Sequence, residues 1–379
     1  MCSKQQNMAL TYSKKEDDFA KISTLKFNIV EDTVKPKRFL PAEWFPQSGV
    51  QLTWPNKDTD WNYILDEVVD CYKKMAFNIA SREHLLIVAA DVESVRSELS
   101  ATFPSHVFAN ITFAEMPIND TWARDHGFIT VISDESPLLM DYTFNGWGMK
   151  FAANLDNQIN KTLYNNGFFW GKYCNNQDFV LEGGSIESDG CGTLLTTSEC
   201  LLSENRNSTL SKEQIESQLK HDFCVERVLW LDHGYLSGDD TDSHIDTLAR
   251  LCPNDTIVYV RCTDKDDEHF EELNKMEEQL KQFKTSDGNP YRLLALPMAD
   301  EIVFDGERLP ATYANFLIIN KAVLYPTYNQ PDNDEKAKEV LQQAFPEYEI
   351  VGIDCTPLIK QHGSLHCCTM QFPKGVLIQ

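Results

Sequence analysis

The pattern of apolar and polar positions repeats one plan along the chain: two short apolar strands, an amphipathic helix, and a third strand that ends in a polar cluster. In the clearest copy, strands at 245–251 and 256–261 precede a helix at 268–283 whose apolar side chains recur close to every 3.6 residues. A strand at 291–296 completes the copy. The pattern predicts a ββαβ unit.

Four further copies follow the same plan, and a last strand carries Cys367. Their predicted elements are strands at 50–54, 85–90 and 113–117 with helices at 62–80 and 92–101; strands at 127–131, 137–142 and 179–181 with a helix at 157–165; strands at 185–188, 192–196 and 227–231 with a helix at 212–221; and strands at 315–319, 322–326 and 349–353 with a helix at 332–345.

Five similar units indicate a ring. The period of about 55 to 70 residues is too long for common solenoid repeats. A doubly wound sheet requires one-strand, one-helix alternation and a glycine-rich first turn, which the sequence lacks. The sequence therefore predicts one α/β domain at 40–379, a closed pseudo-fivefold α/β propeller with a central active site. A polar extension at 1–39, with a strand near 25–30, precedes it.

Unusual polar stretches occupy corresponding strand ends, where a ring would bring them together. They lie at 117–127, 181–185, 238–246 and 361–371, and a fifth stretch at 144–150 is typical of an aromatic pocket wall around Trp147.

The last of these stretches contains a candidate nucleophile. Cys367 follows a Gly-Ser turn, which presents a thiol with little steric cover. Burial as a small apolar residue is the structural alternative. His366 is its neighbour on the predicted strand and faces the opposite side, so we expect it to pack or hydrogen-bond there. Cys368 receives no role.

The upstream stretches supply acids and an imidazole. His244 and Asp246 are two residues apart and share one face of the predicted strand, which suits general acid–base catalysis opposite a thiol. Glu182, beside two glycines, is placed to orient that imidazole, and Asp125 adds a further carboxylate.

Three carboxylates around one cysteine raise the pKa of its thiol unless a cation enters. A guanidinium is planar and always charged, and its five donors suit paired carboxylates. The set therefore predicts a thiol that becomes fully reactive when a guanidine binds.

Several of these polar stretches also have interpretations other than catalysis. Arg124 and Asp125 suit a structural ion pair equally well. The acidic run at 239–242 is typical of a solvated loop or an oxygen-rich calcium site. His244 with two of the carboxylates is a candidate zinc set, although a second well-placed histidine is lacking.

Composition narrows the function classes. The chain has 379 residues and a formal net charge of −24, which disfavours binding to nucleic acid or to a membrane surface. It lacks a transmembrane run and a signal-peptide h-region. Eleven cysteines without a CxxC pair, an odd number, predict reduced thiols and a cytoplasmic protein.

Taken in order over residues 40–373, the motifs resemble the agmatine deiminase and bacterial-type (Porphyromonas-type) peptidylarginine deiminase family of guanidine-modifying enzymes. The motifs are Pro41-Ala42-Glu43-Trp44, Trp54-Pro55, Asn119-Asp120-Thr121-Trp122-Ala123-Arg124-Asp125, Phe144-Asn145-Gly146-Trp147-Gly148, Leu181-Glu182-Gly183-Gly184-Ser185, Thr241-Asp242-Ser243-His244-Ile245-Asp246 and Leu365-His366-Cys367. Residues 362–365 are less rich in glycine than is usual in the family. The resemblance implies the five-bladed pentein fold.

The resemblance also implies a reaction without metal or cofactor, the hydrolysis of agmatine to N-carbamoylputrescine and ammonia through a thiouronium on Cys367. By this carry-over, His244 protonates the ammonia and then activates water, and Glu182 orients His244. The guanidinium nitrogens are held by Asp125 and Asp246.

For the rest of the substrate, the resemblance implies that Trp122 walls the pocket and that Asp240 meets the far amine. Peptidylarginine or free arginine is the alternative substrate, and a silent guanidine-binding scaffold is the alternative class. The expected partner is a small cationic guanidine, with a homo-oligomer as one assembly.

Overall fold

The computed structural model of the protein describes residues 38–378. Their strands are β1 (Arg38–Phe39), β2 (Gln47–Thr53), β3 (His84–Ala89), β4 (Ile111–Glu115), β5 (Ile129–Ser133), β6 (Leu138–Thr143), β7 (Lys172–Val180), β8 (Ile186–Ser188), β9 (Thr193–Thr197), β10 (Arg227–Leu231), β11 (Ala249–Cys252), β12 (Thr256–Arg261), β13 (Arg292–Pro297), β14 (Val303–Phe304), β15 (Glu307–Arg308), β16 (Leu317–Ile319), β17 (Ala322–Thr327), β18 (Glu349–Asp354) and β19 (Thr369–Pro373). The predicted strand at 25–30 lies outside the described residues.

The same residues form twelve α-helices, several of them single turns between strands. They are α1 (Leu65–Ala80), α2 (Val92–Thr102), α3 (Ser105–Phe108), α4 (Ala123–His126), α5 (Gly146–Met149), α6 (Ile159–Asn165), α7 (Ser198–Leu201), α8 (Lys212–Phe223), α9 (Ile245–Leu248), α10 (Phe270–Leu280), α11 (Pro331–Ala344) and α12 (Thr356–Ile359).

Between residues 38 and 378 the strands form five small sheets and one hairpin, β14–β15. The strand orders are β19-β2-β3-β4, β1-β5-β6-β7, β10-β9-β8, β11-β12-β13 and β16-β17-β18. In every sheet an antiparallel pair leads into a parallel pair, as in β5–β6–β7 and β11–β12–β13. Parallel neighbours need a crossover, which α1, α6, α8, α10 and α11 supply. The fold is mixed α/β, and the predicted order of strand, strand, helix and strand is confirmed.

The first sheet contains a strand from far along the chain. β19 pairs antiparallel with β2, with Thr369 opposite Leu52, so the last predicted strand joins the first unit. All six residues of β3, the next parallel strand, are buried. Such uninterrupted apolar runs are typical of strands covered on both faces. Here α1 contributes one cover, with buried positions such as Val68, Tyr72 and Met75 at helical spacing.

The predicted strand at 245–251 is wrong over its first half. Residues Ile245–Leu248 form the short helix α9, and β11 begins only at Ala249. The backbone N–H and the hydroxyl of Thr247 both donate to the carbonyl of His244, at 3.2 and 2.8 Å, and these bonds close a helical turn. His244 and Asp246 therefore meet through a turn and not through a shared strand face.

The strand predicted to carry Cys367 also begins later than expected. Cys367 lies in a turn, and β19 starts at Thr369. The side-chain oxygen of Asn315 accepts the backbone N–H groups of His366 and Cys367, at 2.9 and 3.3 Å, which fixes the turn from outside. In the second unit, the strand predicted at 179–181 is the end of the longer β7.

Within 38–378, no helix has the length and apolar character needed to span a membrane. Nine of the cysteines there are free thiols, whereas Cys191 is disulfide-bonded. The expectation of reduced thiols holds for those nine.

Candidate active site

Turns that adjoin strands of different sheets carry the side chains predicted to form the site. Asp125 lies on α4, Glu182 precedes a 3-10 turn, His244 and Asp246 flank the start of α9, and Cys367 precedes β19. All five side chains are buried. The structure brings all five together.

The Cys367 thiol faces an amide and a carboxylate. Its Sγ lies 3.4 Å from Asn315 Oδ1 and 4.0 Å from Asp246 Oδ2. Burial raises the pKa of the Cys367 thiol well above its ordinary value, and the charges of Asp246 and Asp125 raise it further. The thiol is therefore protonated in the absence of a cation, as the three carboxylates predict.

His244 lies between two carboxylates without bonding to either. Its Nδ1 is 3.8 Å from Asp125 Oδ1 and its Nε2 is 3.7 Å from Glu182 Oε2. Neither nitrogen has a hydrogen-bond partner among residues 38–378, although the ring is fully buried. Burial lowers the pKa of His244, but Asp125, Cys200 and Glu182 together outweigh it, and the pKa is raised well above the ordinary value. The imidazole ring is therefore charged, and neither of its N–H groups is used in a hydrogen bond within the described residues.

Asp246 is held through one carboxylate oxygen and Asp125 through both. Asp246 Oδ2 accepts from His366 Nδ1 at 2.7 Å, while Asp246 Oδ1 has no partner in the described part of the chain. Asp125 accepts from Trp147 Nε1 and from the N–H of Gly184, both at 3.0 Å. Burial favours the protonated form of Asp246, but the contacts with His366 hold its pKa below the usual value. Burial raises the pKa of Asp125 to about 6.

Glu182 is fixed by a buried arginine that sequence reasoning missed. Arg206 Nε lies 3.0 and 2.9 Å from the two oxygens of Glu182, and its Nη1 reaches Asp242 at 2.5 Å. Burial opposes ionisation of Glu182, yet His244 and Arg206 lower its pKa. A charged Glu182 therefore faces the His244 ring. Its role in orienting that ring stays a prediction.

Gly184 is closely surrounded by these groups. A Cβ at this position would lie 2.6 Å from His244 Nδ1, 3.0 Å from Asp125 Oδ1 and 3.1 Å from Asp246 Oδ2. Non-bonded heavy atoms are normally at least about 3.5 Å apart. The absent side chain therefore provides the space in which the imidazole and both carboxylates face one another.

Two tryptophans form an aromatic corner beside this space. The rings of Trp122 and Trp147 have centroids 6.1 Å apart at an interplanar angle of 77°. Trp122 Nε1 donates to Asp120 at 2.9 Å, and a Cβ on Gly363 would lie 2.1 Å from the Trp122 ring. The ring thus packs directly on the backbone just before the cysteine turn. Trp147 has the left-handed φ of 54° and donates to Asp125.

The acidic loop near Trp147 is already partnered. Lys150 Nζ donates to the backbone carbonyl of Asp240 at 2.5 Å and to Asp242 at 2.8 Å. Asp242 also binds Arg206. Burial raises the pKa of the half-buried Asp240 carboxyl. Asp242 therefore pairs with both Lys150 and Arg206, while the Asp240 carboxylate feels the charges of His362 and Lys150 without an ion pair among the described residues.

The ion-pair alternative for Arg124 is wrong. Within residues 38–378 the Arg124 guanidinium forms no ion pair; its Nε donates weakly to the His366 carbonyl at 3.5 Å, and its Nη2 has no partner. The acidic run is a hydrogen-bonded turn, because the Asp239 carboxylate accepts from the backbone N–H groups of Thr241 and Ser243. No ligand is needed to explain its conformation.

The zinc alternative takes a different form in the structure. Donor atoms of Glu182, Cys200 and His244 lie within 4.8 Å of one another, so that Cys200 replaces the expected aspartate. The Arg206 guanidinium covers both oxygens of Glu182, and its charge opposes a cation there. Absence of a catalytic metal stays a prediction.

Three further residues shape the site, although the sequence assigned none of them a role. Asn315 holds the cysteine turn, Arg206 holds Glu182, and Gly184 clears the centre. Of these, only Gly184 lies in a polar stretch singled out from the sequence. The other two act through contacts between distant segments.

Comparison with known proteins gives a consistent result. The family model for Porphyromonas-type peptidyl-arginine deiminase matches residues 39–373. The C. jejuni agmatine deiminase structure, a cysteine-to-serine variant with substrate bound, is 38% identical with a TM-score of 0.83, covering 91% of this chain and 99% of that one. Agmatine deiminase of Pseudomonas syringae pv. tomato is 32% identical over 88% of this chain and 95% of its own length.

A third relative carries a different name. The crystal structure named "Putative Arginine Deiminase from Porphyromonas gingivalis" is 51% identical, with a TM-score of 0.85, and covers 90% of this chain and 100% of that chain. With the family match extending over most of the sequence, the chain belongs to the Porphyromonas-type peptidyl-arginine deiminase family.

Proposed function

We propose that this protein is an agmatine deiminase, which hydrolyses the guanidinium of agmatine to N-carbamoylputrescine and ammonia. The observation that carries the proposal is a buried thiol beside two carboxylates and an imidazole with no hydrogen-bond partner among the described residues. Agmatine deiminases from C. jejuni and P. syringae, at 38% and 32% identity, support it.

Substrate binding is the step that activates the thiol. The guanidinium enters beside Cys367 and donates to the carboxylates of Asp125 and Asp246. Its charge offsets the carboxylates that raise the pKa of Cys367. The thiol then releases its proton to solvent, where the departing ammonia finally takes it up, and the thiolate attacks the guanidinium carbon to form a C–S bond and a neutral tetrahedral adduct.

His244 carries out the proton transfers that follow. The charged imidazole gives its proton to the leaving nitrogen, the C–N bond breaks, and ammonia departs from a thiouronium. The neutral ring then takes a proton from water, whose oxygen attacks the same carbon. The C–S bond breaks, the remaining proton of that water passes to the Cys367 sulfur, and the ureido product leaves. Glu182, paired with Arg206, favours the charged ring in each cycle.

The groups around the pocket favour an amine over a carboxylate at the far end of the substrate. Trp122 and Trp147 supply the apolar corner for the methylene chain. Lys150 and Arg206 are both bound by Asp242, so neither is spare for the α-carboxylate of free arginine. Asp240 is available for the far amine of agmatine. The relative from P. gingivalis keeps arginine or peptidylarginine as the second candidate substrate.

The proposal extends to the architecture. Five units with the same antiparallel-then-parallel strand order, and the pairing of β19 with β2, support a closed pseudo-fivefold propeller in one domain. In this arrangement the turns that carry Cys367, His244, Asp125 and Glu182 converge on the axis. A ring explains why residues from four separate segments form one site.

A substrate panel tests the function. Purified protein is assayed for ammonia and ureido product with agmatine, free arginine and an N-acylated arginine peptide, with and without a metal chelator. We expect turnover of agmatine, unchanged by the chelator. Turnover of the peptide alone would replace agmatine by the second candidate, and binding of guanidines without turnover would indicate a silent scaffold.

Two adjacent thiols offer a matched pair of variants. Cys367→Ala is expected to abolish product formation, because the nucleophile is lost. Cys368→Ala removes a buried thiol of equal size and is expected to keep activity per folded molecule. Full activity in Cys367→Ala would contradict the mechanism.

A further inference from the structure

Behind the candidate site lies a buried charge cluster that the mechanism does not use. It consists of Glu43, Glu187, Arg250 and His366, all buried. Arg250 Nη2 donates to Glu43 Oε2 at 2.6 Å, and Arg250 Nε donates to Glu187. His366 Nε2 lies 2.9 Å from Glu43 Oε2. Glu43 belongs to the Pro41–Trp44 motif, to which the proposed chemistry gives no part.

His366 connects this cluster to the site. Its second nitrogen, Nδ1, lies 2.7 Å from Asp246 Oδ2. That contact occupies one carboxylate oxygen and leaves Oδ1 without a partner among residues 38–378. The oxygen that His366 holds, Oδ2, also lies 4.0 Å from Cys367 Sγ, so this contact fixes the side of Asp246 that faces the thiol.

The ring itself has little freedom to rotate. Glu43 and Asp246 hold its two nitrogens from opposite sides, and the His366 backbone N–H is bound by Asn315. Glu43 is in turn fixed, because its Oε1 accepts the backbone N–H of Ile318 at 2.6 Å. The position of the Asp246 carboxylate is therefore fixed by successive hydrogen bonds, which begin at Ile318 in a different sheet.

We propose that His366 is a positioning residue, supported by Glu43, which holds the Asp246 carboxylate beside Cys367 and toward a bound guanidinium. The inference rests on the proposed function, because it assumes that Asp246 binds the planar cation. His366 touches neither the substrate nor the reacting atoms; it acts through Asp246. A histidine with a merely structural role would affect folding but not the preference of the site for a cation.

The test compares two small reagents that alkylate Cys367. Chloroacetamidine is a planar cation, and chloroacetamide is its neutral counterpart of nearly the same shape. The ratio of their alkylation rates measures the contribution of the carboxylates and cancels changes in intrinsic thiol reactivity. A ratio near one in the wild type would defeat the proposed function itself. If the wild-type rate ratio is large, the proposed function stands, and the variants then test the role of His366 alone.

Two substitutions at His366 form a matched pair. The amide nitrogen of Asn occupies nearly the position of Nδ1, and that of Gln nearly the position of Nε2. His366→Asn keeps a donor to Asp246, so we expect a ratio within about threefold of the wild type. His366→Gln keeps only the donor to Glu43, and we expect the ratio to fall about tenfold or more. Equal ratios in the two variants, or a larger ratio in His366→Gln, would overturn the proposal.

Glu43→Gln keeps the His366 ring but weakens the hydrogen bond that supports it. This variant tests the proposal even if neither His366 variant folds. The ratio is expected to fall about threefold or more, since one hydrogen bond to a charged group is weakened. An unchanged ratio in a folded Glu43→Gln protein would overturn the supporting role of Glu43. Thermal unfolding of every variant verifies that folded protein is compared.

Discussion

The close packing at Gly184 makes the sharpest prediction, because one added methyl group would clash with three groups of the site. In Gly184→Ala the new Cβ would lie 2.6 Å from His244 Nδ1 and close to the oxygens of Asp125 and Asp246. A normal contact requires about 3.5 Å, so the imidazole or the methyl must move by about 0.9 Å. The backbone φ at Gly184 is not in the left-handed region, so alanine adds no strain there.

The expected effect falls on catalysis more than on stability. A displacement of about 1 Å in a catalytic group costs about 100-fold in rate, which corresponds to about 2.7 kcal/mol in the activation barrier. We therefore expect kcat to fall about 100-fold in Gly184→Ala. The measurement is steady-state ammonia release from agmatine, combined with a thermal unfolding curve for the same protein.

Gly288→Ala provides the control. Gly288 is exposed, and a Cβ there would have no neighbour within 4 Å, although its φ is +80°. This variant is expected to lose about 1–2 kcal/mol of stability through backbone strain and to keep its kcat. A kcat of Gly184→Ala within about threefold of the wild-type value would refute the role assigned to the close packing around Gly184.

Three other measurements test the site. The acid limb of the pH profile of kcat/KM is expected near pH 6, because burial raises the pKa of Asp125 to about 6 and only its ionised form binds a guanidinium; a limb near pH 4 would contradict this. Trp147→Phe removes the 3.0 Å hydrogen bond to that carboxylate, which favours the ionised form, so the limb should move to higher pH in the same titration. Asn315→Ala leaves two N–H groups of the cysteine turn without their acceptor and should lower the free energy of unfolding by about 1–3 kcal/mol in urea, and an unchanged urea midpoint would argue against that role.

Local patterns predicted much of the fold. The strands at 227–231 and 256–261 match β10 and β12, because uninterrupted apolar runs bounded by polar turns identify buried strands. The helix at 268–283 is confirmed as α10 with frayed ends trimmed. The failures occurred where a side chain or a distant segment overrides propensity. At 245–251, Thr247 closes a helical turn on the carbonyl of His244.

The candidate site, like the fold, was predicted only in part from the sequence. Its polar stretches could be identified from the sequence because charged and aromatic residues rarely cluster at strand ends without a reason. Sequence distance hid the supporting residues: Asn315 lies 52 positions from Cys367, and Arg206 lies 24 from Glu182. A single sequence does not reveal such pairs. The direction of the Cys367 pKa was predicted correctly, although burial is its largest cause and only Asp246 and Asp125 of the three carboxylates add to it.

The pairing of β19 with β2 has a consequence for the order of events during synthesis. The carboxylates and the imidazole leave the ribosome before Cys367 does, so the nascent chain holds the acids of the site without its thiol. Until β19 arrives, β2 is an open edge whose residues Val50 and Leu52 are fully buried in the finished protein. Exposed apolar edges of this kind associate readily with other chains. The segment that brings the proposed nucleophile also covers this edge, so we expect the thiol to join the site and the open edge to close in the same step.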